Sequence, residues 1–183
     1  MIENLLSTPM IIVYAILFGI TMKIADLFNE HGLRWFKGDA ILFGILWSLF
    51  GVLLILSHNI IANIILAMNI AFIIRNRLDY LNHRIASSII ILSFLFFATF
   101  QPWLFLTFFF VFLIFGSLRD FVGDKIKKKG SLLRLYDNFM WYYPVPALIY
   151  SILYGNWIVF WALFVFTISY DLTKYVAKTK GYK

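Results

Sequence analysis

Four stretches of this chain carry almost no charge, and they decide what solvent it can fold in. They run from Asn4 to Met22, from Ala40 to Ile74 with only His58 inside, from Ile85 to Leu118 and from Asn138 to Tyr170. Each reaches the roughly 18 apolar residues that a helix needs to cross a bilayer. The last three, at 33 to 35 residues, are long enough for two short spans each. With 62% of its residues hydrophobic and 14% charged, the chain lies far from the composition of a water-soluble domain. A polar break divides each long stretch: Ser57-His58-Asn59, Gln101-Pro102 and Gly155-Asn156. Such residues cap or turn a helix. The pattern predicts an all-α integral membrane protein, one polytopic transmembrane domain over residues 1–183. About seven helices are expected, at 9–25, 40–57, 60–78, 85–100, 103–121, 139–154 and 157–174.

The even-numbered helices in that plan are short. At most 18 residues long, with a rise of about 1.5 Å per residue, they reach some 27 Å against a hydrocarbon core of about 30 Å. Interfacial aromatics or local thinning must cover the difference. The N-terminal segment has neither the positive n-region nor the A-x-A-like site of a removable signal, and is read as a span. The absence of cysteine removes disulfides and thiolate metal sites.

With seven spans, all 16 Lys and Arg residues fall on one side. The positive-inside rule makes that side cytoplasmic, with the N-terminus outside and the C-terminus inside. The net charge of +7 then reads as topology and as attraction to anionic headgroups. No soluble basic domain carries it, so no nucleic-acid partner is expected.

The cytoplasmic ends of the odd-numbered helices look alike: KIADLFNEHG from Lys23, RLDYLNHR from Arg77, RDFVGDKIKKKG from Arg119 and YDLTKYVAKTKG from Tyr170. Each places an aspartate just past the last apolar turn. Asp26, Asp79, Asp120 and Asp171 are separated by 53, 41 and 51 residues, the length of a helical hairpin with its loops. A hairpin repeat, a short helix in and a long helix back out, accounts for this spacing. Partners four residues on (Glu30, His83, Asp124 and Tyr175) would share a helix face with them. Interfacial anchoring alone explains charges at such positions. Against it, acids near helix C-termini oppose the macrodipole, and like charges four apart repel. A bound cation would offset both costs.

Carboxylate and amide oxygens suit hard cations such as Mg²⁺, which commonly bridges one or two carboxylates to a substrate phosphate. The metal-ligand candidates are Asp26, Glu30, Asp79, Asn82, Asp120 and Asp124, with Asp120, Asp124 and Asp79 as the catalytic set. Arg77, Arg119 and Lys125, with Lys23, Arg75 and Arg84 near them, are candidates for the phosphate oxygens. His31 and His83 follow acids or amides at the inner exits and are interface residues or general bases. His58 reads as an interfacial cap. Lys127-Lys128-Lys129 before Gly130 reads as a solvated helix end or a recruiter of anionic lipid.

Asp120-Phe-Val-Gly-Asp124-Lys resembles the second aspartate motif of the UbiA superfamily of intramembrane prenyltransferases. Asn76-Arg-Leu-Asp79-Tyr-Leu-Asn82-His-Arg84 is faintly similar to its first motif, with Arg77 where that motif carries Asp and no match for its third Asp. The resemblance covers some 25 residues of 183. It implies a Mg²⁺-bound diphosphate and prenyl transfer. The functional expectation is thus a small membrane enzyme acting at the cytoplasmic face on a lipid-linked phosphate or diphosphate. The expected partners are membrane lipids and that substrate, with a homo-oligomer left open. The rivals are a transporter or channel for a neutral solute, in which Asn63 and Asn69 supply midplane polarity, and a non-catalytic scaffold whose small-residue faces, Gly19, Gly44, Gly51 and Gly116, bind a partner.

Overall fold

The computed structural model describes residues 7–30, 32–126 and 130–181, and the side chains of Glu30, Asp124, Arg134 and Asp137 lie outside that description. The described residues form eight helices and no strand: α1 Thr8–Glu30, α2 Asp39–Ser57, α3 Asn59–Ile74, α4 Leu81–Phe97, α5 Pro102–Lys125, α6 Ser131–Asn138, α7 Pro144–Tyr154 and α8 Trp157–Thr179. Four of them, α1, α2, α5 and α8, are long and apolar enough to cross a membrane; α3, α4 and α7 are shorter apolar helices. In the membrane-length stretch of α5 only 22% of the residues are buried by protein, at a mean hydropathy of 1.9. A helix that is apolar all round and bare on most sides belongs in lipid.

Five helices follow one another through packing: α4 on α2, α2 on α1, α1 on α8, and α8 on α7. Helix α3 packs on α5, α2 and α4, and its Ile61, Ile64, Ile65 and Met68 join one core with Ala15 and Phe18 of α1 and Leu163 and Phe166 of α8. This centrality explains a short helix with almost every side from Ile61 to Asn69 covered. Gly19 is closely approached by the Phe166 carbonyl of α8, and Gly44 by the Asn82 carbonyl of α4.

Six of the seven expected helices recur with shifted ends. Helix α1 runs past 25 to Glu30, α5 past 121 to Lys125 and α8 past 174 to Thr179. Polar residues at these ends extend beyond the apolar run without breaking the backbone pattern. Helix α3 stops at Ile74 and does not reach 78, because Asn76 takes a left-handed φ of 54°. Asp79 therefore sits exposed in the loop before α4. It does not share a helix with His83.

The sixth expected span, 139–154, changes most. Pro144 stands in the first turn of α7, so the helix begins there and keeps 11 residues. At about 1.5 Å per residue that is roughly 17 Å, little more than half the hydrocarbon thickness. The segment before it is a turn in which Met140, Tyr142 and Tyr143 are buried, as irregular backbone at membrane depth must be. Helix α6 is an addition, lying between the fifth and sixth expected spans. The hairpin order, short helix in and long helix out, holds for α4/α5 and α7/α8; in α2/α3 it is reversed, with 19 residues before 16.

The two ends of the bundle have distinct chemistry. At one end Asn59 Nδ2 and Asn63 Nδ2 both donate to the Thr99 carbonyl, and the amides of Thr99 and Gln101 donate back to Asn59 Oδ1 and Asn63 Oδ1. These bonds join the α2–α3 and α4–α5 turns. Asn63 is thereby an interhelical latch, the plain reading of a buried membrane asparagine. The described basic residues gather at the other end.

Candidate functional site

At the basic end, α1, α3, α5 and α8 converge with the 140–143 turn around a cavity of about 270 Å³. Its described lining carries Lys23, Arg75, Arg77, Arg119 and Lys174 against only two carboxylates, Asp26 and Asp120, together with His83 and the phenols of Tyr142, Tyr143 and Tyr170. The sequence led to an acidic cluster with cations around it. The balance in space is the reverse.

Each carboxylate is already engaged. Arg75 grips Asp120 Oδ2 from Nε at 3.0 Å and Nη2 at 2.7 Å, while Arg77 reaches Oδ1 at 2.6 Å. On α1, Tyr170 donates its hydroxyl to Asp26 Oδ2 at 2.6 Å, Lys23 lies 3.6 Å from the same oxygen, and His83 Nε2 stands 3.2 Å from Oδ1. All four oxygens face a donor. Lys23 also lies over the Tyr170 ring, 5.3 Å from its centre. The His83 ring is held edge-on by Trp47 and Tyr80, at 5.8 and 5.6 Å between centres. Arg119 lines the cavity with Tyr142, Tyr143 and Tyr170.

Arg75 has one more feature. Its side chain is only 5% exposed, and its Nη1 is buried without a hydrogen-bond partner. A buried guanidinium donor left unpaired costs roughly 1–3 kcal/mol or more, and Arg75 lines the cavity. That nitrogen is turned toward α5, where it is the atom nearest to the place a Cβ on Gly116 would take.

The remaining candidates fall elsewhere. Asn82 is buried as a packing amide, accepting from Asn29 Nδ2 at 2.7 Å. Lys125 is exposed at the end of α5 and Asp79 is exposed in its loop; neither lines the cavity. Arg84 spends its guanidinium on the Leu78 and Asp79 carbonyls. The Glu30 and Asp124 side chains, His31 and the Lys127–Lys129 run lie outside the described residues. Among those described, no three His, Asp or Glu side chains gather as metal ligands. A site for resident Mg²⁺ needs free carboxylate oxygens, and the two carboxylates here are spent on Arg, His, Lys and Tyr. The described donor set fits an anion and does not fit a resident cation.

No family model, curated protein or solved structure matches this chain. The likeness to intramembrane prenyltransferases therefore stands on its motif residues alone, and of these Asp120 and Arg77 meet at the cavity while Asp79 does not. Sequence reasoning missed Lys174 and the three tyrosines. One signal was available: at three of the exits a cation precedes the aspartate, Lys23 before Asp26, Arg77 before Asp79 and Arg119 before Asp120. For Lys23 on α1 and Arg119 on α5 the earlier residue lies deeper along the helix than its aspartate.

Proposed function

We propose that this chain is a multi-pass membrane protein with seven membrane helices and its basic end in the cytoplasm. In this proposal it takes the phosphate or diphosphate head of a membrane lipid into the cationic cavity and acts on it as a transferase-type enzyme. The observation that carries the reading is the charge of the cavity: five cationic side chains, the 5%-exposed Arg75 among them, against two carboxylates. Guanidinium and ammonium groups in a low-dielectric site are the standard recognition chemistry for phosphate oxygens. They also neutralise charge that develops on a departing diphosphate.

Prenyl transfer, the reaction suggested by the Asp120 motif, releases such a diphosphate. In this reading Arg75, Arg77 and Arg119 hold its oxygens. His83, oriented by Asp26, takes the proton from an acceptor group, as an imidazole fixed by a carboxylate commonly does. Of the two asparagines that would serve transport of a neutral solute, Asn63 is committed to the Thr99–Gln101 turn, while Asn69 is fully buried within α3 with its Nδ2 on the Ile65 carbonyl.

The test is a melting curve of the purified protein in detergent with inorganic diphosphate, wild type beside Arg75→Gln. Saturation at about 100 times the dissociation constant adds some 2.7 kcal/mol to the folded state. The expected result is a rise in Tm for the wild type that Arg75→Gln loses. A wild-type Tm indifferent to millimolar diphosphate would sink the proposal.

A further inference from the structure

Beside the cavity lies a second, larger space. It measures about 840 Å³ and is walled mainly by apolar side chains, among them Phe139, Trp141, Phe164, Ile168 and Leu172. Its origin is the shortness of α7. A helix that begins only at Pro144 leaves the inner half of α8 without a neighbour along that side. Phe164, Ile168 and Leu172 follow one another at four-residue steps, so they form one stripe on α8.

The partition between the two spaces is thin. Residues of the 139–142 segment alternate across it: Phe139 and Trp141 line the groove, Met140 and Tyr142 line the cavity. Lys174 lines both. The groove is not uniformly apolar either. Asp171 lines it near this junction, held on one oxygen by the Met140 amide, and its Oδ1 is buried without a hydrogen-bond partner.

We infer that the groove is the chain-binding half of one amphiphile site. The hydrocarbon chain of a lipid lies along the Phe164–Leu172 stripe while its phosphate passes Lys174 into the cationic cavity. This rests on the phosphate reading above and adds to it the place of the hydrocarbon chain, in the groove walled by α8 and the 139–141 segment. Charge selects the place of the head: the cavity offers five cations against two carboxylates, whereas the groove carries Lys174 and Lys178 beside Asp171 and is otherwise mainly apolar wall. An amphiphile bound in this way sets its phosphate among the cations of the cavity and covers the stripe.

The experiment uses the full chain in detergent and dodecyl phosphate carrying a diazirine at the chain end. Illumination should label peptides containing Phe139–Trp141 or Phe164–Leu172, and excess inorganic diphosphate should reduce that label several-fold. Ile168→Trp, at a position 48% exposed and so tolerant of a larger ring, should cut the label several-fold while leaving the diphosphate-induced rise in Tm as in wild type. Leu172→Trp serves the same purpose if the first variant does not fold. Label spread over α4 and α5, label in the groove that diphosphate does not displace, or label unchanged in both folded variants would overturn the inference. If diphosphate alone fails to raise Tm, the phosphate reading itself has failed; if it does raise Tm and the label is misplaced, only the groove assignment has.

Discussion

The Arg75 guanidinium occupies the space where a Cβ on Gly116 would stand. Helix α5 thus leaves a notch in which the cation can lie flat and still grip Asp120 one turn further on. Gly116→Ala should fold, because the overlapping atoms are the far end of a flexible side chain and alanine gains up to about 1 kcal/mol in helix propensity. It should nevertheless lose diphosphate binding, because Arg75 must leave its seat. Gly19 offers the contrast. There the Phe166 carbonyl of α8 would stand 2.5 Å from the new Cβ, backbone that cannot swing aside, so Gly19→Ala should destabilise by about 1–3 kcal/mol. Denaturation midpoints and diphosphate titrations of the two variants, side by side, check both halves.

Asp120 separates the cation-cavity reading from a metal site by the sign of an effect. As a Mg²⁺ ligand it would be indispensable for substrate binding. As the partner of Arg75 and Arg77 it competes with the substrate for their donors. Asp120→Asn should therefore retain or tighten diphosphate binding while lowering stability by about 1–3 kcal/mol, the cost of a poorly paired buried group. Mg²⁺ added without diphosphate should leave Tm unchanged in both proteins. Abolished binding in the variant would return Asp120 to a ligand role.

Asn63→Ala strips the Gln101 amide of its acceptor and the Thr99 carbonyl of one donor. A loss of about 1–3 kcal/mol follows. Diphosphate affinity should stay at the wild-type value, since the latch holds the turns at the opposite end of the bundle. A binding defect in a variant of normal stability would show that Asn63 has a second role.

His58 lies between α2 and α3 with its Nδ1 buried and without a partner, and burial lowers its pKa from the ordinary value. The unfolded chain therefore takes up the proton at a higher pH than the folded one. Stability should fall as pH drops through about 6.5, the unfolded value, and level off once the folded value is passed. His58→Gln removes this contribution. The difference in Tm between wild type and variant, followed from pH 8 to pH 5, should grow in the variant's favour on acidification; a constant difference would count against the assignment.

Local patterns in the chain were enough to identify its solvent and most of its helices. Charge-free runs, broken at Ser57-His58-Asn59, Gln101-Pro102 and Gly155-Asn156, placed the turns between α2 and α3, α4 and α5, and α7 and α8. Hydropathy and helix-breaking residues act on neighbours within a turn or two, so a linear reading captures them. The same locality explains the errors. Nothing around Asn76 announced a left-handed residue, and the apolar run from 139 continued through Pro144 without showing that the helix would begin only there.

The site was beyond that reach. Asp26 meets a tyrosine 144 residues away, and Asp120 meets an arginine 45 residues before it. Spacing along a helix showed which acids share a face, and it was silent on which cation each acid meets across the bundle. Packing decided that: α1 against α8 and α3 against α5 place every described acid of the cavity on a donor and leave the cations in excess. Low dielectric makes such pairing compulsory for a buried carboxylate. Sequence alone determined where the charges stop along each helix, and the tertiary structure determined what sign of charge the cavity presents.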